Sequence, residues 1–314
     1  MEIVRGFRSL ETPLARPVVT LGNFDGVHLG HQKIIGLALA LARGKGSQAV
    51  AYTFRPHPQK VLRPDLSVPL LTTYDEKLEL LAALGIDVTV EEPFQPKFFN
   101  LSPREFFFEA LSGKLHAQAL VVGYDFSFGK GRQGHLDLLE SFCKEAQIQL
   151  TVVQPQQVGE EVISSSKIRK TLLEGKIESA AALLSRPFSY QGLVIRGDQR
   201  GRTIGFPTAN LKVEADKVVL PFGVYATSSV VGGRAFKSVT NVGVRPTFHS
   251  ENPVTLVETH LLNTDLVETD LDLYDQKIEV KFHFKIREEM KFSGIAELKA
   301  QIQKDVQKAS ATQN

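Results

Sequence analysis

Through the first half of the chain, short apolar runs alternate with segments of helical period. Residues 17–21, 49–54, 87–90, 120–122 and 150–153 are strand-like blocks dominated by Val, Ala and Leu. Between the first two, residues 31–42 have helical character. Two later helix starts are marked by capping signatures, Thr73-x-x-Glu76 and Ser102-Pro103-Arg104-Glu105. Continuous apolar strands separated by helices predict a parallel sheet covered on both faces. Beyond about Ser185 the period falls to two. Residues 224–231 and 234–239 flank Gly232-Gly233, a hairpin signal, and residues 254–262 and 277–286 are long alternating strands. A helix over about 295–306 closes the chain, and residues 310–314 are expected to fray. The second half therefore predicts a small antiparallel barrel.

Length and composition sharpen this picture. A chain of 314 residues suits two domains, and 42% hydrophobic against 23% charged residues indicates packed cores. The formal charge of +2, from 37 basic and 35 acidic residues, argues against a nucleic-acid-coating surface but leaves room for a local basic pocket. Cys143 is the single cysteine, so an internal disulfide is excluded; its helical setting predicts a small buried hydrophobe, not a nucleophile. The first residues hold no apolar core of signal-peptide length. The longest apolar run, near 37–42, falls short of the roughly 20 residues a membrane span needs. A soluble cytoplasmic protein is expected, with no nucleic-acid or membrane partner. Its oligomeric state is left open, a monomer being the expectation in dilute solution.

Three stretches carry candidate chemistry. Gly22-Asn23-Phe24-Asp25-Gly26-Val27-His28-Leu29-Gly30-His31 lies where the first strand hands over to the first helix, the edge at which open parallel sheets bind ligands. Its glycines allow close approach of backbone, and the helix amino end offers N–H groups to phosphate. His28 and His31, three apart, can both face that phosphate and stabilise charge on a pentavalent phosphorus. A helix-capping turn and a zinc pair are the other readings; zinc needs a further ligand, and Cys143 sits in a different context. His57, in Arg55-Pro56-His57-Pro58, can approach the same edge. Ser164-Ser165-Ser166-Lys167-Ile168-Arg169 reads as a serine cap opening a short helix with a cation one turn in, another anion site. Gly205-Phe206-Pro207-Thr208-Ala209-Asn210, reached through Gly201-Arg202, frees and then fixes the backbone. It sets a hydroxyl and a carboxamide two residues apart on one side of an extended segment. No Gly-x-x-x-x-Gly-Lys-Ser/Thr loop is present. Gly129-x-Gly131-x-x-Gly134 matches a dinucleotide fingerprint in form only, because the preceding strand ends near Gly123, six residues early. Two phosphate-type constellations in one chain point to two linked reactions.

The first stretch resembles the signature of the nucleotidylyltransferase superfamily, and residues 164–169 resemble its second motif. Gly123-Tyr124-Asp125-Phe126-Ser127-Phe128-Gly129 resembles a loop of bacterial FAD synthetases. Gly197-Asp198-Gln199-Arg200-Gly201-Arg202-x-x-Gly205-Phe206-Pro207-Thr208-Ala209-Asn210 resembles the nucleotide-binding segment of the riboflavin kinase fold. Over about residues 15–305 the chain is similar to the bacterial bifunctional riboflavin kinase/FAD synthetase family. That resemblance implies an α/β plus β architecture: an N-terminal parallel-sheet, Rossmann-like nucleotidylyltransferase domain over 1–185, and a C-terminal antiparallel β-barrel kinase domain with a terminal helix over 186–314. It implies phosphorylation of riboflavin by ATP to FMN, then adenylylation of FMN by ATP to FAD with release of pyrophosphate.

The resemblance also assigns roles. In the adenylyltransferase, Gly22, Asn23, Phe24, Asp25, Gly26, His28, His31, Ser165 and Arg169 would bind ATP, with His28 and His31 stabilising charge. Asp125 would touch nucleotide or magnesium there, or serve as a turn carboxylate. In the kinase, Gly197, Arg202, Gly205, Phe206, Pro207, Thr208 and Asn210 would bind ATP, with Mg2+ on Thr208 and Asn210. Glu258 would be the general base; the strand pattern by itself makes it a solvent-facing residue. Flavin contacts would come from Phe54, Pro56, His57, Phe126 and Phe128 in the first domain and from Arg245, Thr247 and Arg287 in the second. The chain departs from the family pattern at Ser185 and Asp275, where glycine is customary, and at Asn263, which replaces a frequent aspartate. Two alternatives remain: a nucleotidylyltransferase whose second domain binds flavin without catalysis, and a flavin-binding module with no catalysis at all.

Overall fold

The computed structural model describes residues 1–312 except Ser67, Glu160, 198–199, 246–253 and 263–272. The chain forms two compact units, Met1–Ser165 and Ser166–Asn314.

In the first unit, β1 (Glu2–Val4), β2 (Val18–Leu21), β3 (Ala49–Arg55), β4 (Val88–Pro93), β5 (Ala119–Gly123) and β6 (Gln149–Val153) form one sheet in the order β1-β4-β3-β2-β5-β6. Every neighbouring pair is parallel. The chain leaves β2 for β3 on one side and later returns to β5 on the other, so the strand order reverses beside β2, where such sheets open a crevice. β1 was not foreseen; three residues are too few to show a period. A two-strand ribbon, β7 (Gln157–Val158) and β8 (Glu161–Val162), follows the sheet.

Apolar layers cover both faces. Tyr52, Phe98, Phe106, Phe107 and Leu120 belong to one cluster, and Ile35, Ala38, Ala42, Leu81 and Val121 to the other. Both predicted capping boxes form. Thr73 Oγ1 accepts from the Glu76 N–H at 3.1 Å while Glu76 Oε2 accepts from the Thr73 N–H at 2.8 Å. Ser102 and Glu105 do the same at 3.2 and 2.7 Å. Each cap contributes about 1 kcal/mol. The second opens only Pro103–Glu105; the chain then widens into a π-helix over Phe106–Lys114 that buries Phe106, Phe107, Ala110 and Leu111.

In the second unit, β9 (Phe188–Ile195), β10 (Ala209–Lys212), β11 (Gly223–Val231), β12 (Arg234–Arg245), β13 (Val254–Leu261) and β14 (Lys277–Arg287) close into an antiparallel barrel, β10-β13-β12-β11-β14-β9. The hairpin falls at Gly232 and Gly233, with φ of 54° and 81°, the left-handed pair a two-residue turn demands. The helix Ile295–Thr312 lays Ala309 and Val306 on Val224, Ala226 and Val239. It runs to Thr312, past Ser310, where the chain was expected to fray.

Because that helix covers Val224 and Ala226, the alternate residues of β11 face the barrel interior. Thr227 and Ser229 there meet Ser238, Thr240 and Thr259 in a chain of hydroxyl hydrogen bonds of 2.8–3.2 Å. All five side chains are fully buried. No helix among the described residues is long and apolar enough to cross a membrane.

Two candidate active sites

The loop between β2 and the helix Leu29–Gly44 is strained into one shape. Phe24 (φ 49°), Gly26 (φ 83°) and Val27 (φ 40°) are all left-handed, and for a β-branched valine that is costly. Surrounding contacts hold it there. Asp25, 3% exposed, accepts from the N–H groups of Leu71 (2.9 Å) and Thr72 (3.2 Å), and the Gly26 N–H donates to Thr72 Oγ1 at 3.1 Å. The Asp25 carboxylate thus anchors the loop from behind, a use the sequence did not reveal. Gly22 and Gly30 are needed for contact: a Cβ would meet the Phe24 ring at 2.9 Å and the His28 ring at 3.2 Å. Asn23 is exposed.

His28 is the N-cap of the helix, its Nδ1 accepting the His31 N–H at 3.3 Å. The capping reading therefore holds, and it leaves Nε2 as the ring donor. The two imidazoles stack at 3.6 Å, and Phe24 meets His31 edge-on at 5.4 Å. Burial, then the neighbouring His28 and Lys77 charges, hold His31 well below the usual histidine range, and its enclosed Nδ1 has no hydrogen-bond partner among the described residues. Among the described residues no three His, Cys, Asp or Glu side chains gather to hold a metal. Cys143 is buried on its helix, its thiol pushed up to about 11 by desolvation and Glu140.

The second motif reaches the first through Ser165, whose hydroxyl donates to the Asp25 carbonyl at 3.0 Å. Arg169 lies one turn further along the helix Ser165–Leu173, beyond the unit boundary. His57 is also a cap: Nδ1 accepts from Gln59 N–H at 3.3 Å, and its own N–H donates to the Tyr74 hydroxyl at 2.9 Å. Pro56 beside it is exposed. Phe54 packs edge-on against Tyr52 and Phe94. Phe126 stacks on Phe128 at 5.6 Å, and Phe128 is fixed by Gly134, where a Cβ would strike its ring. Gly129, Gly131 and Gly134 therefore shape an aromatic turn and not a strand-to-helix phosphate loop. Asp125 is exposed, beyond the end of β5.

In the barrel, register does what the motif could not. Glu258 on β13 stands directly opposite Asn210 on β10 and Asn241 on β12, so the three side chains form one row across three strands. Thr259 points to the interior ladder instead. Asn210 is 7% exposed, whereas Thr208, just before β10, is exposed. Pro207 O pairs with His260 Nδ1 at 2.7 Å, which makes that nitrogen the donor, and Phe206 meets the His260 ring edge-on. A Cβ on Gly197 would run into the Asn210 carboxamide, and one on Gly201 would sit 3.4 Å from Thr208 Oγ1. Gly205 (φ 89°) is left-handed with open space beside it. Arg202 and Arg245 lie at the ends of the helix Arg200–Thr203 and of β12, and Thr247 lies outside the described residues. Arg287 is clamped to the terminal helix, its Nε donating to Asp305 Oδ2 at 3.0 Å and its Nη2 lying 2.9 Å from the same oxygen. Lys77 and His260 were not singled out in the sequence, and Asn241 only as the start of a segment, 241–248, that resembles the family's flavin-side loop, because their placement beside these residues depends on packing and register.

Comparison with known proteins joins these sites to a family. The FAD synthetase family matches residues 11–167, and the riboflavin kinase family matches residues 184–313. A bifunctional riboflavin kinase/FMN adenylyltransferase of Bacillus subtilis is 39% identical, over 94% of this chain and 92% of its own length. The protein of the same name from Escherichia coli K12 is 36% identical over 97% and 96%. The crystal structure of a Streptococcus pneumoniae protein described as a macrolide-efflux protein matches 98% of both chains, with a TM-score of 0.86 and 27% identity.

Proposed function

The chain belongs to the bifunctional riboflavin kinase/FMN adenylyltransferase family, and we propose how its residues divide the two reactions. It makes FMN from riboflavin and ATP, and FAD from FMN and ATP. In the barrel, Glu258 takes the proton of the riboflavin 5′-hydroxyl as that oxygen attacks the γ-phosphorus and ADP leaves. Asn210 and Asn241 flank the carboxylate and hold its direction. Thr208 and Asn210 would hold Mg2+: they are hard oxygen donors, and the glycines beside them leave space a side chain would fill. Bound there, magnesium neutralises phosphate charge. The loop through Gly197, Arg202, Gly205, Phe206 and Pro207 wraps the nucleotide, while Arg245, Thr247 and Arg287 belong to the flavin side.

In the parallel-sheet unit, an FMN phosphate oxygen attacks the α-phosphorus of ATP; the new P–O bond forms as the bond to pyrophosphate breaks. No base is required, because the attacking phosphate is already an anion. Charge on the pentavalent phosphorus is met by the helix amino end at Leu29–His31, by imidazole N–H groups of His28 and His31, and by Ser165. His31, held neutral, donates without repelling its stacked neighbour. Phe54, Pro56, His57, Phe126 and Phe128 form the flavin side, with Asp125 at its rim.

The observation that carries the kinase assignment is the Asn210–Glu258–Asn241 row. Its test is Glu258→Gln assayed by chromatography with riboflavin, ATP and magnesium. FMN formation should fall about 10²–10⁴-fold, while FAD formation from supplied FMN persists. Undiminished FMN formation would remove Glu258 from the role of general base.

A further inference from the structure

Within the parallel-sheet unit, Lys77 is a buried cation that neither half-reaction above employs. It is 4% exposed, and its Nζ donates to Thr53 Oγ1 at 3.0 Å, to Phe54 O at 3.2 Å and to Asn23 O at 3.5 Å. The Thr53 hydroxyl itself donates to Asn23 O at 3.1 Å. One turn back, the Tyr74 hydroxyl accepts the His57 N–H, and the Lys77 ammonium lies 5.5 Å from the Tyr74 ring centroid. One face of the helix Tyr74–Ala83 therefore grips both the loop after β2, which leads to His28 and His31, and the end of β3, which leads to His57. The segment entering that helix supplies the Leu71 and Thr72 N–H groups that hold Asp25.

We propose that Lys77 is a positioning residue for adenylyl transfer, whose ammonium fixes the loop after β2 against the end of β3 and so sets where that loop holds His28 and His31. This rests on reading residues 22–31 as the adenylyl-transfer site. An apolar side chain would fill the same volume without burying a charge, but it would take the Lys77 donor from the Phe54 carbonyl and leave the Asn23 carbonyl with the Thr53 hydroxyl in place of two donors. The charged groups facing Lys77 are Asp25 from the loop after β2 and Arg55 from the end of β3; His31 from the first helix and Tyr74 on its own helix are its titratable neighbours. Desolvation lowers Lys77 to about 8, Asp25 opposing and Arg55 adding to the shift. The cation is thus present at neutral pH and lost as pH rises through about 8.

The test uses the intact chain and measures FAD formation from FMN and ATP, with FMN formation from riboflavin on the same preparation as internal reference. Lys77→Met is expected to lower kcat for FAD formation about 10–100-fold, the cost of a sub-ångström misplacement, with ATP KM and FMN formation nearly unchanged. Lys77→Arg should restore most of that loss. It should also carry the alkaline fall of kcat upward, since a guanidinium keeps its proton. Thr53→Val removes one partner only; its intermediate loss keeps the inference testable if Lys77→Met fails to fold. Full FAD synthesis with an unmoved pH profile in Lys77→Met, or in Thr53→Val should the former not fold, would overturn the inference. His31→Ala separates the two readings. If it leaves FAD formation intact, the site itself is misassigned; if it abolishes FAD formation while Lys77→Met does not, only the role of Lys77 fails.

Discussion

At the scale of single residues, backbone conformation explains two departures from the family pattern. Ser185 (φ 58°) and Asp275 (φ 61°) both occupy the left-handed region, where a glycine has no Cβ to strain. Ser185→Gly should therefore raise stability by about 0.5–1 kcal/mol, seen as a rise of a few degrees in the melting temperature of the kinase unit. His31 gives a second prediction. Its proton affinity is depressed in the folded state, so below about 6.5 the unfolded chain binds a proton the folded chain refuses. Stability of the parallel-sheet unit should be full above that pH and fall as pH drops, by at most about 1.4 kcal/mol per unit. Melts of wild type and His31→Gln at pH 5.5 and 7.5 check it; equal losses would refute the assignment. Caps and turn glycines were legible because their chemistry is local. Lys77 was not: in Tyr74-Asp75-Glu76-Lys77 it reads as one more solvated helix residue, and only the tertiary fold encloses it.

At the scale of elements, the barrel shows how far alternation can be read. Period two located β11 to β14 and the Gly232-Gly233 hairpin but not β9 or β10, and it marks faces without saying which is inside. Thr227 and Ser229 look outward-facing by polarity, yet they line the interior, while the terminal helix covers Val224 and Ala226. Thr240→Val removes a hydroxyl that binds both Thr227 and Thr259 at 2.8 and 2.9 Å. The cost should be about 1–3 kcal/mol for the stranded partners, measured by denaturant unfolding. In the other unit, Gly134→Ala would press a methyl to 2.7 Å from the Phe128 ring. A destabilisation of about 1–3 kcal/mol should come with weaker FMN use if Phe128 shapes the flavin site. The row Asn210–Glu258–Asn241 belongs to this scale as well: the strand pattern made Glu258 a solvent-facing residue, the family resemblance singled it out, and strand register supplies its neighbours.

At the scale of the whole molecule, the chain packs as two units, Met1–Ser165 and Ser166–Asn314, the two proposed sites are chemically unlike, and the change to period two near Ser185 was visible in the sequence. Separate sites predict complementation. An equimolar mixture of Glu258→Gln and His31→Ala chains should turn riboflavin into FAD at about half the wild-type flux, because FMN made by one chain can diffuse to the other. Failure of the mixture, with each chain retaining its remaining activity, would mean that FMN is not released between steps. The five hydroxyls inside the barrel have one more consequence. Each is both donor and acceptor, and most of their pairings can run in either direction. Four of the five bonds can turn their polarity by rotating protons alone, with every heavy atom in place, while Thr240 donates to Thr259. The barrel interior thus holds a fixed frame of heavy atoms around protons that can still reorient.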